Sequence, residues 1–389
     1  MIIFFLAFLW FLSPFVSVYL FIVITPIFIS QLKCRAYSLF SQLFLIAFIS
    51  FMIVNRDVEN GLYIGYGDDI YRYLFAFEQI NNDYSFVSVY SKVLSITGSA
   101  EFLFWLFSYL VVNLTNDIYF TWFSIVFLSL LIIYFSLERL DYKVAGFVFS
   151  CFLLTITFHV YSGSIIRQLL AFSFVTLSLS FCSSIRTYKK GMVISFIPSF
   201  FHLSSIFLPI IIYGWDKFSK LRVKDFLFLL LLLLFLFIFF RFGVGDDSFI
   251  YQKFNARIGR GNELEGGWTW ILQFIFELVA VLTFLKFAFP SIFKSHLFKV
   301  FVFFCLIVFF CIPFNYVSIR LYRYSYCFYM IFFVLYFRQT TNKLTLAYVL
   351  LTFFFYWGTL LLYKYWPSYG GSFLDSFFYN IQSIFKVSA

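Results

Sequence analysis

The chain has 389 residues, of which 63% are hydrophobic and 12% charged, with a formal net charge of +10. A soluble domain carries about a quarter charged residues, so this composition excludes one and points to an all-α polytopic membrane protein. Six cysteines without CxxC spacing and only three histidines give no metal-ligand pattern, so neither a metal nor a cofactor is expected.

In chain order, membrane spans are expected at 3–29, 39–54, 118–136, 144–160, 167–184, 226–241, 268–288, 298–313, 322–337 and 344–363. The opening MIIFFLAFLW has no basic n-region and no small-residue cleavage site, so it reads as a first span rather than a removed signal. Segment 191–213 differs. Pro198 and Pro209 break it, with Arg186, Lys189 and Lys190 before it and Lys217, Lys220, Arg222 and Lys224 after it. If both basic flanks are cytoplasmic, it enters and leaves on one side, as two half-helices with His202 near the tip. Such a broken helix survives only where protein or a cavity satisfies its backbone. The expectation is one transmembrane domain, 1–389, of about 10–12 helices with this re-entrant piece. The stretch 101–114 is read as a partial helix on the outer side. Outer loops are placed at 55–100, 242–267 and 313–322, with an outer C-terminal segment at 364–389.

Charge sets the orientation. The segments assigned to the cytoplasm, around 31–38, 137–143, 185–190, 214–225, 286–299 and 338–343, hold 16 of the 28 Lys+Arg but only 4 of the 18 Asp+Glu, as the positive-inside rule requires. They are mostly lysine. The outer cations are mostly arginine: Arg56, Arg72, Arg167, Arg241, Arg257, Arg260, Arg320 and Arg323. A guanidinium binds phosphate or carboxylate as a planar fork, so these form a candidate anion-binding population. The net positive charge is thus no sign of nucleic acid.

Arg167 stands at the start of an apolar helix, where a charge costs about 2.5–3.5 kcal/mol on insertion scales. Arg320 and Arg323 are three apart and would share a helix face, among Tyr322, Tyr324 and Tyr326. Snorkelling arginines in an aromatic belt is the plain alternative. Arg257 and Arg260 repeat the spacing in a Gly-rich loop, where solvated charge is equally good a reading. The two GxGDD stretches, Gly65–Asp69 and Gly243–Asp247, read first as turns or helix caps. One of their aspartates is a candidate general base or sugar ligand. His202 and His159 are candidates for a cavity lining, against the ordinary reading of satisfied buried histidines.

Several pieces, taken in order, resemble one family. They are Asp69 and Tyr73 in GDDIYRY, Glu101 opening the next helix, Arg167, Gln168 and Ala171 in SIIRQLLAFSF, His202 in FHLSSIFLPI, and IRLYRYSYCFY before a late span. This order is similar to the EpsG-type polysaccharide polymerases, which are related to the Wzy-type O-antigen polymerases, over roughly residues 39–340. The resemblance implies a GT-C-like, metal-independent glycosyltransferase of the bacterial inner membrane, with its site facing the periplasm. It would move a growing glycan from undecaprenyl pyrophosphate onto a lipid-linked repeat unit. Implied partners are those lipid-linked oligosaccharides, membrane lipid, a chain-length regulator and a flippase, and no nucleic acid. The catalytic set expected on this basis is Asp69, Arg167, Arg320 and His202, with Asp69 the first candidate for the base that takes the acceptor proton and His202 the second. Arg323, Gln168, Arg257, Arg260, Arg72, Tyr73, Tyr324 and Glu101 are expected to bind pyrophosphate or sugar. A lipid-linked oligosaccharide flippase, or an O-antigen ligase on the same scaffold, remains the alternative.

Overall fold

The computed structural model describes residues 2–16, 18–32, 34–55, 69–81, 85–98, 100–163, 165–218, 269–311 and 315–338. Every regular element among them is helical. The protein is an all-α polytopic membrane protein. Of the described helices, Arg35–Val54 (hereafter α3), Ile118–Glu138 (α7) and the 271–288 part of Thr269–Ala288 (α14) are each long and apolar enough to cross a bilayer. Shorter apolar helices pack between them. The expected spans at 226–241 and 344–363 lie outside the described residues.

The first expected span, 3–29, is not one helix. Ile2–Val16 (α1) and Val18–Ser30 (α2) fold back on each other. The Trp10 ring lies 5.2 Å from that of Phe28, and its Nε1–H donates to Thr25 Oγ1 at 3.0 Å. In a single helix, eighteen residues of rise would separate the two rings by about 27 Å.

The described part of the first expected outer segment is helical. Asp69–Asn81 (α4) and Phe86–Thr97 (α5) lead to Phe102–Thr115 (α6), and α5 and α6 meet at a 116° bend. Gly98, at φ +61°, closes α5 in the left-handed conformation and starts that bend. Asp117 then caps α7, its Oδ1 accepting from the Tyr119 and Phe120 N–H groups.

Another expected span is interrupted. The 144–160 region is Tyr142–Leu153 (α8) followed by Ile156–Gly163 (α9). Thr155 repairs the break. Its hydroxyl donates to Phe152 O and accepts from Phe158 N–H, which keeps freed backbone groups satisfied away from water. The chain before the last described span is Asn315–Tyr322 (α16), a turn at 323–324, then Ser325–Phe337 (α17).

Ile166–Cys182 (α10) is the central helix, packed against α7, α17 and the segment that follows it. It is buried on nearly every side. Its small polar residues do not break it, because their hydroxyls fold back onto its own carbonyls. Ser173 donates to Leu170 O, Thr176 to Phe172 O and Ser180 to Leu177 O. After α10 the chain is broken where the prolines predict. Tyr188–Ile194 (α11), Ile197–Phe201 (α12), a 3₁₀ turn at Leu203–Ile206 and Phe207–Phe218 (α13) follow in turn. His296–Phe310 (α15) completes the described set.

Contacts at helix ends bring three of the basic segments together. Arg35 at the head of α3 pairs with Glu138 at the tail of α7 at 2.8 Å. Arg139 reaches Ser180 O at 2.7 Å and stacks over Phe181, so the 31–38, 137–143 and 185–190 segments share one end of the bundle. Helices α14 and α17 run parallel, with Glu277 against Tyr326 and Phe284 against Phe333.

Candidate functional site

The opposite end of α10 holds the chemistry. Arg167 and Gln168 are consecutive, hence about 100° apart around the helix, and they reach different neighbours. Arg167 is 8% exposed. Its Nε–H donates to the Tyr73 hydroxyl at 2.6 Å, and its Nη1–H donates to Glu101 Oε2 at 2.6 Å. Gln168 turns toward α16 and donates through Nε2 to the Arg320 carbonyl oxygen at 3.0 Å. A two-residue motif therefore ties α4 and the start of α6 to α16.

Glu101 stands just before α6 and joins two partners. One oxygen takes Arg167; the other lies 3.3 Å from His202 Nδ1. The buried guanidinium thus has an internal counter-ion and a tyrosine hydroxyl, the pairing that makes a buried charge tolerable. Tyr73 is held for this task by Phe104 and Trp105, whose rings pack against it.

His202 occupies the break between α12 and the 3₁₀ turn, in extended backbone with φ −156° and ψ 119°. Its N–H donates to Pro198 O, and its carbonyl accepts from Ser205 N–H and Oγ–H. Stacking of Phe201 on Phe174 fixes the junction to α10. The His202 side chain is 3% exposed, and its Nε2 has no hydrogen-bond partner. Both Arg167 and Arg320 are close enough to act on the ring electrostatically.

More polar groups converge here. Gln168, Ser204 and the Tyr324 hydroxyl are buried together, with Tyr324 next to Ser204 and Gln168 and near Arg320. Buried polar groups are ordinarily paired. His202 Nε2, beside Arg167 and Arg320, is left without a partner.

Other expected residues are placed differently. Arg320 and Arg323 do not share a helix face, because α16 ends at Tyr322. Arg320 is 7% exposed, while Arg323 sits in the turn with its guanidinium 5.7 Å from the Tyr161 ring centroid. Arg72 follows one residue before the buried Tyr73 and is exposed. Asp69 opens α4, but its side chain, like that of His159, lies outside the described part. Asp68, Arg257, Arg260 and the second GxGDD stretch lie outside the described residues.

One buried acid was not foreseen. Glu277, midway along α14 and 7% exposed, accepts through Oε1 from the Tyr326 hydroxyl at 2.6 Å and from Gln273 Nε2 at 2.7 Å. Its Oε2 has no partner. The sequence did carry a signal: a lone carboxylate inside an apolar span, with an amide four residues before it on the same face.

The chain is 27% identical over 332 residues to the EPS I polysaccharide export inner membrane protein EpsF of Ralstonia nicotianae, covering 80% of this chain and 78% of that one. It is 29% identical over 302 residues to the protein of the same name from Ralstonia solanacearum, covering 74% and 71%. No solved structure matches. The sequence pattern of the EpsG family runs through residues 58–374, taking in Tyr73, Glu101, Arg167, His202 and Arg320, and the chain belongs to that family.

Proposed function

We propose that this protein is a polysaccharide polymerase of the bacterial inner membrane, transferring a growing glycan from undecaprenyl pyrophosphate onto a lipid-linked repeat unit at the periplasmic face. Membership of the EpsG family and the inner-membrane, polysaccharide-export names of its relatives support the broader role in polysaccharide biosynthesis or export. The finer reading, with an O-antigen-type reaction on a GT-C-like fold, rests on the site. The observation that carries it is Glu101 joining Arg167 to His202, with His202 Nε2 buried and unpartnered.

The chemistry follows from that arrangement. An ionised Glu101 accepts from Nδ1–H, which leaves the lone pair on Nε2. Nε2 takes the proton of the acceptor sugar hydroxyl as its oxygen bonds to the anomeric carbon of the donor. The bond from that carbon to the diphosphate oxygen breaks, and the lipid diphosphate leaves with the electron pair. Arg167 and Arg320 stand where this negative charge develops and stabilise it without reorganising. Arg323, Gln168 and Tyr324 hold the diphosphate and sugar around it. The lipid tail keeps the reacting group at the membrane surface, which matches the outer end of α10. Asp69, four residues before Tyr73, is the alternative base.

The test is a pair of substitutions assayed on purified protein with lipid-linked repeat units. His202→Gln is expected to accumulate in the membrane and to lose roughly 100-fold or more in turnover, the usual contribution of a positioned base. Wild-type turnover in a folded His202→Gln protein, with loss in Asp69→Asn, would move the base to Asp69.

A further inference from the structure

A second polar feature lies away from the arginines. The last turn of α4 and the tight connection from α6 to α7 border an open depression of about 630 Å³ lined by Glu78, Asn81, Thr115, Asn116, Asp117 and Ile118. This is within the range of about 300–1,000 Å³ typical of ligand sites. The connection is short because Asn116 adopts the left-handed conformation at φ 52°, its N–H closing α6 on Val112 O at 2.7 Å. It is the one non-glycine residue with positive φ among the described residues. Asp117 then starts α7 at once, so four consecutive residues, three of them polar and exposed, form one wall. Glu78 and Asn81, both exposed, form the other.

We infer that this depression is a subsite for the glycan portion of the growing polymer, an inference that rests on the polymerase reading above. The lining chemistry selects the ligand. No Lys or Arg is among the described lining residues, and two carboxylates are, so a diphosphate is disfavoured. Two amides and two carboxylates, Asp117 through the oxygen that does not cap α7, offer the donors and acceptors that a neutral, hydroxyl-rich sugar chain needs. Position agrees. Tyr73, which holds Arg167, is on the same helix as Glu78 and Asn81, and a rise of 1.5 Å per residue puts these about 8 and 12 Å further along α4. Glu101 and Thr115 mark the two ends of α6 in the same way. A glycan leaving the arginine site along α4 therefore meets this depression, and holding it there favours another round of addition over release.

The experiment has two readouts on purified protein carrying Asn81→Ala, Glu78→Gln or both, with exposed Asn113→Ala on α6, outside the lining, as control. The first is the length distribution of product made from lipid-linked repeat units. The second is saturation-transfer NMR of the free repeat-unit oligosaccharide. The double variant is expected to cut mean product length at least threefold and to lose the oligosaccharide signal, with Asn113→Ala matching wild type in both. Unaltered product lengths and an undiminished oligosaccharide signal in the double variant would overturn the inference. If wild type makes no polymer yet shows an oligosaccharide signal that the double variant loses, the polymerase reading fails and the subsite stands.

Discussion

Glu101 is the residue on which the site turns, since Arg167 and His202 both depend on it. Removing one member of a buried ion pair costs about 3–5 kcal/mol because the other charge is stranded, whereas removing both together is often tolerated. Glu101→Gln is therefore expected to lower the thermal stability of the detergent-solubilised protein. The double variant Glu101→Leu, Arg167→Met should recover much of it and still make no polymer. Equal stability of Glu101→Gln and wild type would show that the pair is solvated rather than buried. At this scale the sequence was informative where a residue broke a pattern. Arg167 announced itself as a charge at the head of an apolar helix. Its counter-ion did not, because Glu101 lies 66 positions away and only the family resemblance pointed to it. Glu277 broke the same rule as Arg167, in the middle of a span rather than at its end. It serves Tyr326, whose hydroxyl gives it a reason that only the packing of α14 on α17 displays.

The helices position these residues through a few close approaches. Helix α11 meets α10 at Gly191, whose carbonyl accepts from Ser178 Oγ at 2.8 Å. A Cβ there would run into Cys182 Sγ and stand 2.8 Å from the Ser178 carbonyl oxygen. The second neighbour is backbone and cannot swing away. Gly191→Ala is expected to destabilise by about 1–3 kcal/mol, as overpacking does, and to displace the broken segment that carries His202. Unaltered melting and activity in Gly191→Ala would mean that α11 is not seated on α10 in this way. Pro198 and Pro209 made the break near His202 legible, since proline interrupts a helix by its own covalent structure. The reversal between α1 and α2 and the turn at 323–324 were not legible as such. Apolar periodicity continues through both, and only tertiary contacts, Trp10 on Phe28 and Arg323 on Tyr161, decide where the chain bends.

Across the whole molecule, composition and the lysine–arginine division define an all-helical membrane protein with two chemically different ends. Arg35–Glu138 and Arg139–Ser180 tie one end together, and Tyr73–Arg167–Glu101–His202 tie the other. The grouping of helix ends by charge was readable because the membrane forces it. The convergence of 73, 101, 167, 202 and 320 was not, because it depends on how α4, α6, α10 and α16 pack. The central claim is that this convergence transfers glycan by itself. It is tested most directly by incubating the purified protein, alone in detergent, with an undecaprenyl-pyrophosphate-linked repeat unit and resolving the products on a gel. The account predicts a ladder of increasing glycan length with release of undecaprenyl pyrophosphate, abolished by Arg167→Lys, which keeps the charge and loses the fork. Substrate returned unaltered by wild-type protein that is folded and binds the lipid-linked unit would contradict it.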